Sequence, residues 1–540
     1  MTQLTPLLDI QQLEVTFPDH PAVQGLSLRL HSGEIVALVG ESGSGKSVSA
    51  RALVGLAGDK ARVQASKARL YNAKGETRDL LKLSAKAWQQ VRGGEIGFVL
   101  QDALTSLDPL KTIGAEVAEA LCRHQKISRR EVAARVEQLL EDVGIPDARQ
   151  RMDQYAHELS GGLRQRALIA SALAGGPTLL IADEPTTALD VTVQQRILSL
   201  FRQLADRGHG VLLITHDLAV VAKIADRVLV MRHGRVVEQG ETAALLAAPQ
   251  HPYTRQLLAA IPGVHTRNQW LADPGTDPIN IAPRIDRQKR LLSVQQLHLA
   301  FRRPDGSRHQ VLEDISLQLH HGETLGLVGE SGSGKTSLGK VILGLVNAQQ
   351  GEVWLEDQRW SHMNETDRRP LRQRIQTISQ DPLGAFNPLY TVMQIVQQPL
   401  RLQANASAEK ITARTEALMQ QVGLPLALLS RRPAALSGGQ RQRVAIAQAL
   451  ASDPEILICD EPVSALDVLT QAQILDLLRR LQIQLGLSML FISHDPGVIL
   501  HMSHRVAVLS AGKIVEVVDT THSRPTAENN YSRQLLFSGG

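Results

Sequence analysis

The sequence predicts an α/β protein made of two copies of one domain, and two observations carry the prediction. The first is an apolar strand that runs into a glycine-rich loop: Ile35-Val36-Ala37-Leu38-Val39, then Gly40-Glu41-Ser42-Gly43-Ser44-Gly45-Lys46-Ser47. The second is that the same words recur, as Leu325-Gly326-Leu327-Val328 and then Gly329-Glu330-Ser331-Gly332-Ser333-Gly334-Lys335-Thr336. Two matches of that length read as a duplication, and 540 residues are enough for two domains.

Both loops fit the phosphate-loop pattern G-x-x-x-x-G-K-[S/T]. Glycines let the backbone wrap closely around phosphate oxygens, with the loop N–H groups as donors. Lys46 and Lys335 would reach the β- and γ-phosphates, and the hydroxyls of Ser47 and Thr336 would hold Mg²⁺. The helix that follows adds its positive N-terminal end.

Around each loop the remaining elements repeat in the same order. Residues 13–17 and 26–30 read as strands, the second alternating cleanly between apolar and polar positions. Phe17, and its counterpart Phe301, ends a strand just before a turn-rich segment. Either aromatic could stack on an adenine or close the core at a strand end. Strands ending in Gln101 and Gln380 follow, and a Gln there can ligate Mg²⁺ or orient a water. Ser128-Arg129-Arg130-Glu131 reads as a capping box. The apolar positions Val132, Val136, Leu139 and Val143 continue it at helical spacing and serve as a core face.

Ser160-Gly161-Gly162 and Ser437-Gly438-Gly439 each open a helix, as a second anion site or as a helix cap. The apolar strands Leu179-Leu180-Ile181-Ala182 and Ile456-Leu457-Ile458-Cys459 then deliver Asp183-Glu184 and Asp460-Glu461. Successive strand side chains point opposite ways, so one acid can serve Mg²⁺ while its neighbour faces a water. His216 and His494 each follow a further strand and are placed for a γ-phosphate.

The offset between copies locates an insertion. It is 329 minus 40, or 289, at the phosphate loops, but 380 minus 101, or 279, at the two Gln residues. The first copy therefore carries extra residues, expected around 58–77. A Tyr-bearing tail also repeats, His251-Pro252-Tyr253-Thr254 against Asn530-Tyr531-Ser532. Residues 262–290 are rich in Pro, Asp, Asn and Arg and read as a linker.

The bulk numbers exclude other classes. A net charge of +4 and an aromatic fraction of 3% argue against a nucleic-acid binder. Cys122 and Cys459 have no metal-ligand or disulfide spacing, which suits a reducing compartment. The first ten residues show no signal-peptide pattern, and no run of about 18 apolar residues is present to span a bilayer.

Together these motifs resemble the ATP-binding subunits of ABC transporters, with both nucleotide-binding domains fused. Residues 40–47, Ser106-Leu107-Asp108-Pro109 and His251-Pro252-Tyr253-Thr254 look like the oligopeptide, dipeptide and nickel uptake group. The resemblance implies two ABC ATPase domains, at 1–262 and 291–540, joined by a linker at 263–290. Each would have a RecA-like core, an antiparallel β part and a helical subdomain.

The resemblance further implies a head-to-tail arrangement. Lys46, Asp183, Glu184 and His216 would work with Ser437, Gly438, Gly439 and Gln440. Lys335, Asp460, Glu461 and His494 would work with Ser160, Gly161 and Gly162. Asp183 and Asp460 would support Mg²⁺ through water, together with Gln101 and Gln380, and Glu184 and Glu461 would be the general bases. The expected cofactors are ATP and Mg²⁺, with no iron–sulfur cluster, because two scattered cysteines cannot hold one. Expected partners are two membrane permease subunits and a separate solute-binding protein. The chain would be peripheral on the cytoplasmic face of the cell membrane.

The implied function is ATP-driven uptake of peptides or peptide-like solutes, with a metal chelate, nickel or glutathione as alternative cargo. One departure stands out: Leu163 occupies a position that is Gln or Glu in the family pattern, which puts in question equal hydrolysis at the Lys335 site. A ribosome-associated tandem ATPase is the competing class. It would need a long charged helical linker and an Asn-His-Leu-Asp type sequence, where this chain has Thr187-Ala188-Leu189-Asp190.

Overall fold

A computed structural model describes residues 6–72, 76–101, 106–186, 189, 191–273, 285–302, 306–330, 332–402, 407–464, 466–522 and 525–537. Ser331, Ala188 and Asp190 lie outside them, as does the middle of the expected linker. The chain divides into two compact units, Met1–Leu258 and Ala259–Gly540.

The first unit has two sheets. One is antiparallel, with strand order β2-β1-β5-β6, where β1 is Pro6–Phe17, β2 His20–His31, β5 Lys67–Tyr71 and β6 Thr77–Asp79; β4, Arg62–Gln64, also pairs with β1. The other has the order β11-β10-β3-β9-β8-β7. Its strands are β3 Ile35–Gly40, β7 Ile96–Val99, β8 Leu179–Asp183, β9 Gly210–Ile214, β10 Arg227–Arg232 and β11 Arg235–Glu241, with only β11 antiparallel.

The central strands are apolar throughout because both of their faces are covered. Val36, Leu38, Leu179, Ile181, Leu212 and Ile214 join the core shared with the antiparallel sheet. Their alternates Ile35, Leu180, Ala182, Val211 and Leu213 pack against the helices. Those helices include Ile113–His124, Arg129–Asp142 and Gly161–Leu173. The expected capping box at Ser128 and Glu131 is present.

The second unit repeats the plan. Strands β12 Asp286–Arg302, β13 Arg308–His321 and β15 Gln350–Leu355 form an antiparallel sheet of order β13-β12-β15. Strands β14 Thr324–Val328, β16 Ile375–Ile378, β17 Ile456–Asp460, β18 Ser488–Ile492, β19 Arg505–Ser510 and β20 Lys513–Asp519 form a sheet of order β16-β17-β18-β14-β19-β20. That is strand for strand the order of the first unit.

The insertion lies where the offsets place it. Leu70 pairs with Leu8 as Leu355 pairs with Leu292, and 355 minus 70 is 285. The offset thus falls by four before this pair, where β4 is added, and by six after it, where the β5–β6 hairpin is added. Cys459 is fully buried, and burial pushes its thiol pKa up to about 12, as befits a small core residue.

Part of the segment read as a linker packs on the second unit. The backbone N–H groups of Leu271 and Ala272 donate to Asp476 at 3.0 and 2.9 Å, and Thr266 Oγ1 lies 3.0 Å from His501 Nδ1. Trp270 sits under the Arg480 guanidinium, 5.0 Å from the ring centroid. Among the described residues, no helix is long and apolar enough to cross a membrane.

Candidate functional site

In the first unit β3 ends at Gly40, and the loop turns through Gly43 and Gly45 at positive φ into the helix Lys46–Leu53. Two positions accept only glycine. A Cβ on Gly40 would lie 2.2 Å from the Met231 carbonyl oxygen, and one on Gly45 would lie 2.4 Å from that of Ala22. Lys46 is only 4% exposed, and its Nζ donates to the Gly40 and Glu41 carbonyls at 2.7 Å each. A loop that buries an ammonium among its own carbonyls keeps a cation ready at the place where phosphates would sit.

The ends of three strands, β7, β8 and β9, converge beside this loop. Ser47 Oγ donates to Asp183 Oδ1 at 2.9 Å. Burial, and secondly the adjacent Glu184, raises the Asp183 pKa, against the Ser47 hydrogen bond. Glu184 holds φ 49°, a conformation that costs a non-glycine residue energy, and its N–H donates to the Ile214 carbonyl at 2.8 Å. Gln101 Nε2 donates to Glu184 Oε2 at 2.9 Å, and His216 Nδ1 lies 3.3 Å from Glu184 Oε1. Burial opposes a charge on His216, but Glu184 outweighs it and the imidazole pKa is raised.

The second unit builds the same cluster. Lys335 Nζ donates to Gly329 O at 2.7 Å and to Glu330 O at 2.8 Å. Thr336 Oγ1 is 3.4 Å from Asp460 Oδ1, Gln380 Nε2 is 2.9 Å from Glu461 Oε2, and His494 Nδ1 is 3.1 Å from Glu461 Oε1. Glu461 has φ 47°. Gly332, Ser333 and Gly334 follow the first-unit loop, while Ser331 is not among the described residues.

The other expected residues are placed as follows. Phe17 is half-buried and stacks on His20, ring centroids 5.6 Å apart, whereas Phe301 is exposed. Ser160 and Ser437 are the N-caps of Gly161–Leu173 and Gly438–Leu450. Gly162 and Gly439 have a packing reason of their own, because a Cβ would lie 2.4 Å from Val193 and from Thr470 respectively.

The sequence matches known proteins over most of its length. A family model described as ABC transporter matches residues 23–187 and 312–464. A second, described as oligopeptide/dipeptide transporter, C-terminal region, matches 237–289. The chain is 41% identical over 555 residues to the glutathione import ATP-binding protein GsiA of Escherichia coli (strain K12), covering 98% of this chain and 89% of that one. The chain belongs to the ABC transporter family. It is an ATP-binding subunit of that family and an ATPase.

Similar identity, 41% over 534 residues, holds for the protein of the same name in Salmonella choleraesuis, covering 95% of this chain and 86% of the relative. A solved bacterial ABC transporter cassette, MJ0796, is 25% identical over 43% of this chain and 99% of its own, with a TM-score of 0.40.

Two kinds of residue in this ABC ATPase escaped sequence reasoning. Asp217 caps the helix after His216, accepting from Ala219 and Val220 N–H, and Asp495 does the same after His494. The His-Asp pair before a helical run was the available signal. Tyr253 reaches Glu41 in the phosphate loop from 212 residues away. Only the repeat of its tail marked it out.

Proposed function

We propose that this chain drives solute import: ATP binding and hydrolysis at the two clusters energise uptake of a peptide or peptide-like solute through partner permeases. The observation that carries the ATPase half is the arrangement of Lys46, Ser47, Asp183, Glu184, Gln101 and His216 in one cluster, with its counterpart around Lys335. The cargo half is supported by the likeness to glutathione import proteins and by the oligopeptide/dipeptide C-terminal region. Glutathione, a modified tripeptide, lies within that cargo class.

Lys46 and Lys335 neutralise phosphate charge, and the loop N–H groups add fixed dipoles. Glu184 and Glu461 act as general bases, each with a His and a Gln on its carboxylate to fix its aim at a water. The Ser160-Gly161-Gly162 and Ser437-Gly438-Gly439 turns supply further phosphate donors, and Phe17 and Phe301 offer faces to the adenine. The residues fit Mg²⁺ as well. Asp183 Oδ2 is buried beside the Ser47 hydroxyl with no hydrogen-bond partner among the described residues, and such a carboxylate oxygen suits a metal-bound water. Ser47, Asp183 and Gln101 would hold the ion in the first unit, and Thr336, Asp460 and Gln380 in the second. When bound, it supplies charge neutralisation for the phosphates.

Partner permeases place the chain on the cytoplasmic face of the membrane, and a separate solute-binding protein delivers the cargo. The test is a pull-down of the tagged chain from detergent-solubilised membranes, with partners identified by mass spectrometry. Two multi-span permeases are the expected catch. Ribosomes without any membrane protein would overturn the importer reading.

A further inference from the structure

We infer that Tyr253 is a positioning residue for ATP: its hydroxyl braces the phosphate loop at Glu41. The inference rests on reading residues 40–47 as the phosphate loop. It gives a task to the Tyr-bearing tail of the first copy, which the chemistry above leaves unused.

The route from tail to loop follows from the fold. Strand β10 lies beside β3, with Met231 paired to Gly40, so the end of β10 arrives at the base of the loop. From there the chain turns back along β11, passes through the helix Thr242–Ala247 and enters the helix Pro252–Ala259. One carboxylate fixes the start of that helix. Glu238 on β11 accepts from the backbone N–H of Gln250 at 2.7 Å and of His251 at 3.2 Å. The helix then presents Tyr253, 1% exposed, inward. Arg232 lies over the ring, 4.7 Å from its centroid, and the Tyr253 hydroxyl accepts from the Glu41 N–H at 3.1 Å.

Glu41 is therefore held on both sides of its residue. Tyr253 takes its N–H and Lys46 donates to its carbonyl. Lys46 is the group that must leave for a phosphate when nucleotide arrives. The Tyr253 contact is made by a side chain that does not touch the phosphates, so it stays in place when Lys46 turns. It keeps the first peptide of the loop oriented, and the loop does not have to be ordered by the ligand. The ring itself is fixed by burial and by Arg232, so the hydroxyl is presented without rotamer loss on binding.

The experiment uses the full chain with Lys335→Ala, which leaves nucleotide binding to the Lys46 site, and titrates it with a fluorescent ATP analogue. Tyr253→Phe in that background keeps the buried ring and removes the hydroxyl that accepts from Glu41. The expected result is a Kd raised about fivefold, the effect of one hydrogen bond of ordinary strength, with the melting temperature close to that of its parent. An unchanged Kd overturns the brace, and so does a fall in melting temperature with no change in Kd, which is what a merely structural tyrosine would give. Adding Lys46→Ala to the same background separates the two readings. Loss of binding there with an unchanged Tyr253→Phe Kd condemns the brace alone, whereas binding that survives Lys46→Ala condemns the phosphate-loop assignment beneath it.

Discussion

The two halves of this chain agree at the carboxylate pair and disagree at the Ser-Gly-Gly turn, and the contrast separates chemistry from scaffolding. At the pair, both copies place a Glu at positive φ, a Gln at 2.9 Å and a His within 3.3 Å. Positive φ recurs elsewhere in both copies, but at this position it accompanies the same Gln and His contacts to one carboxylate, so the whole arrangement is shared by the two clusters. At the turn, Ser437 and Gln440 form a reciprocal capping box, Gln440 N donating to Ser437 Oγ at 3.3 Å and Ser437 N to Gln440 Oε1 at 3.0 Å. The first copy has Leu163 at the Gln440 position, and Ser160 makes no side-chain cap hydrogen bond. A cap can be lost with no change to the phosphate loop or the acids of its own unit.

The sharpest way to break the agreement is at the bases. Glu184→Gln together with Glu461→Gln keeps the shape of the strained turn and removes the proton acceptor. Steady-state turnover should fall by about 10²–10⁴-fold, while ATP binding by equilibrium titration is retained. Each single variant then asks whether the two clusters are equivalent. Equal losses from Glu184→Gln and Glu461→Gln support equivalence; a loss confined to one of them makes the other cluster a binding site only. Normal turnover in the double variant would remove the assignment of the bases.

A second contrast lies on the far side of the helices. In the second unit His501 and His504 are buried beside Arg479, which is itself buried and held down to about 10. Burial, and secondly Arg479, depresses the two imidazoles to about 3 and about 4. His501 also faces Thr266, Arg267 and His265, and His504 faces Arg267 and Glu323. The corresponding positions of the first unit, at an offset of 494 minus 216, or 278, are Lys223 and Asp226, both exposed. Both histidines bind protons more weakly folded than unfolded. Their contribution is complete above the ordinary value of 6.5 and is lost as pH falls toward 4 and 3. At pH 5 the loss amounts to about 2 kcal/mol per histidine. Calorimetry should show a melting temperature that drops between pH 7 and 5, and a flatter profile for His501→Asn with His504→Asn. Parallel profiles would show that these rings do not titrate across folding.

How far the sequence could be read varied with the range of the interaction. The phosphate loops, the strand-end acids and the Ser128 capping box are local patterns, visible in a few consecutive residues. The first strands were legible only in part. Residues 13–17 lie inside β1, Pro6–Phe17, because a bulge at Gln12, φ 53°, shifts the alternation by one: Leu8 and Ile10 are buried before it, Leu13 and Val15 after it. A period-two pattern cannot be followed through such a shift. Gln296 does the same in β12, between Val294 and Leu297. The packing of residues 264–272 on the second unit was illegible for a different reason. A polar segment without periodicity is anchored there by hydrogen bonds to Asp476 and by the Trp270–Arg480 stack, and neither partner is within 200 residues in the chain.

The smallest expected effect tests the disagreement at the turn. Leu163→Gln gives the first turn the side chain that closes the box in the second, with the Gln carbonyl accepting the Ser160 N–H. Gln440→Leu removes it from the second. A capping interaction of this kind stabilises a helix start by about 1 kcal/mol, so amide exchange over 161–165 should slow several-fold in the first variant and quicken over 438–442 in the second. If both variants exchange like the native chain, the box in the second copy is an accident of side-chain placement and the two turns are functionally alike. If protection moves as expected and turnover moves with it, the capping glutamine is part of how the turn presents its serine. Protection that moves while turnover does not would leave Leu163 as a local loss of helix stability that the ATPase tolerates.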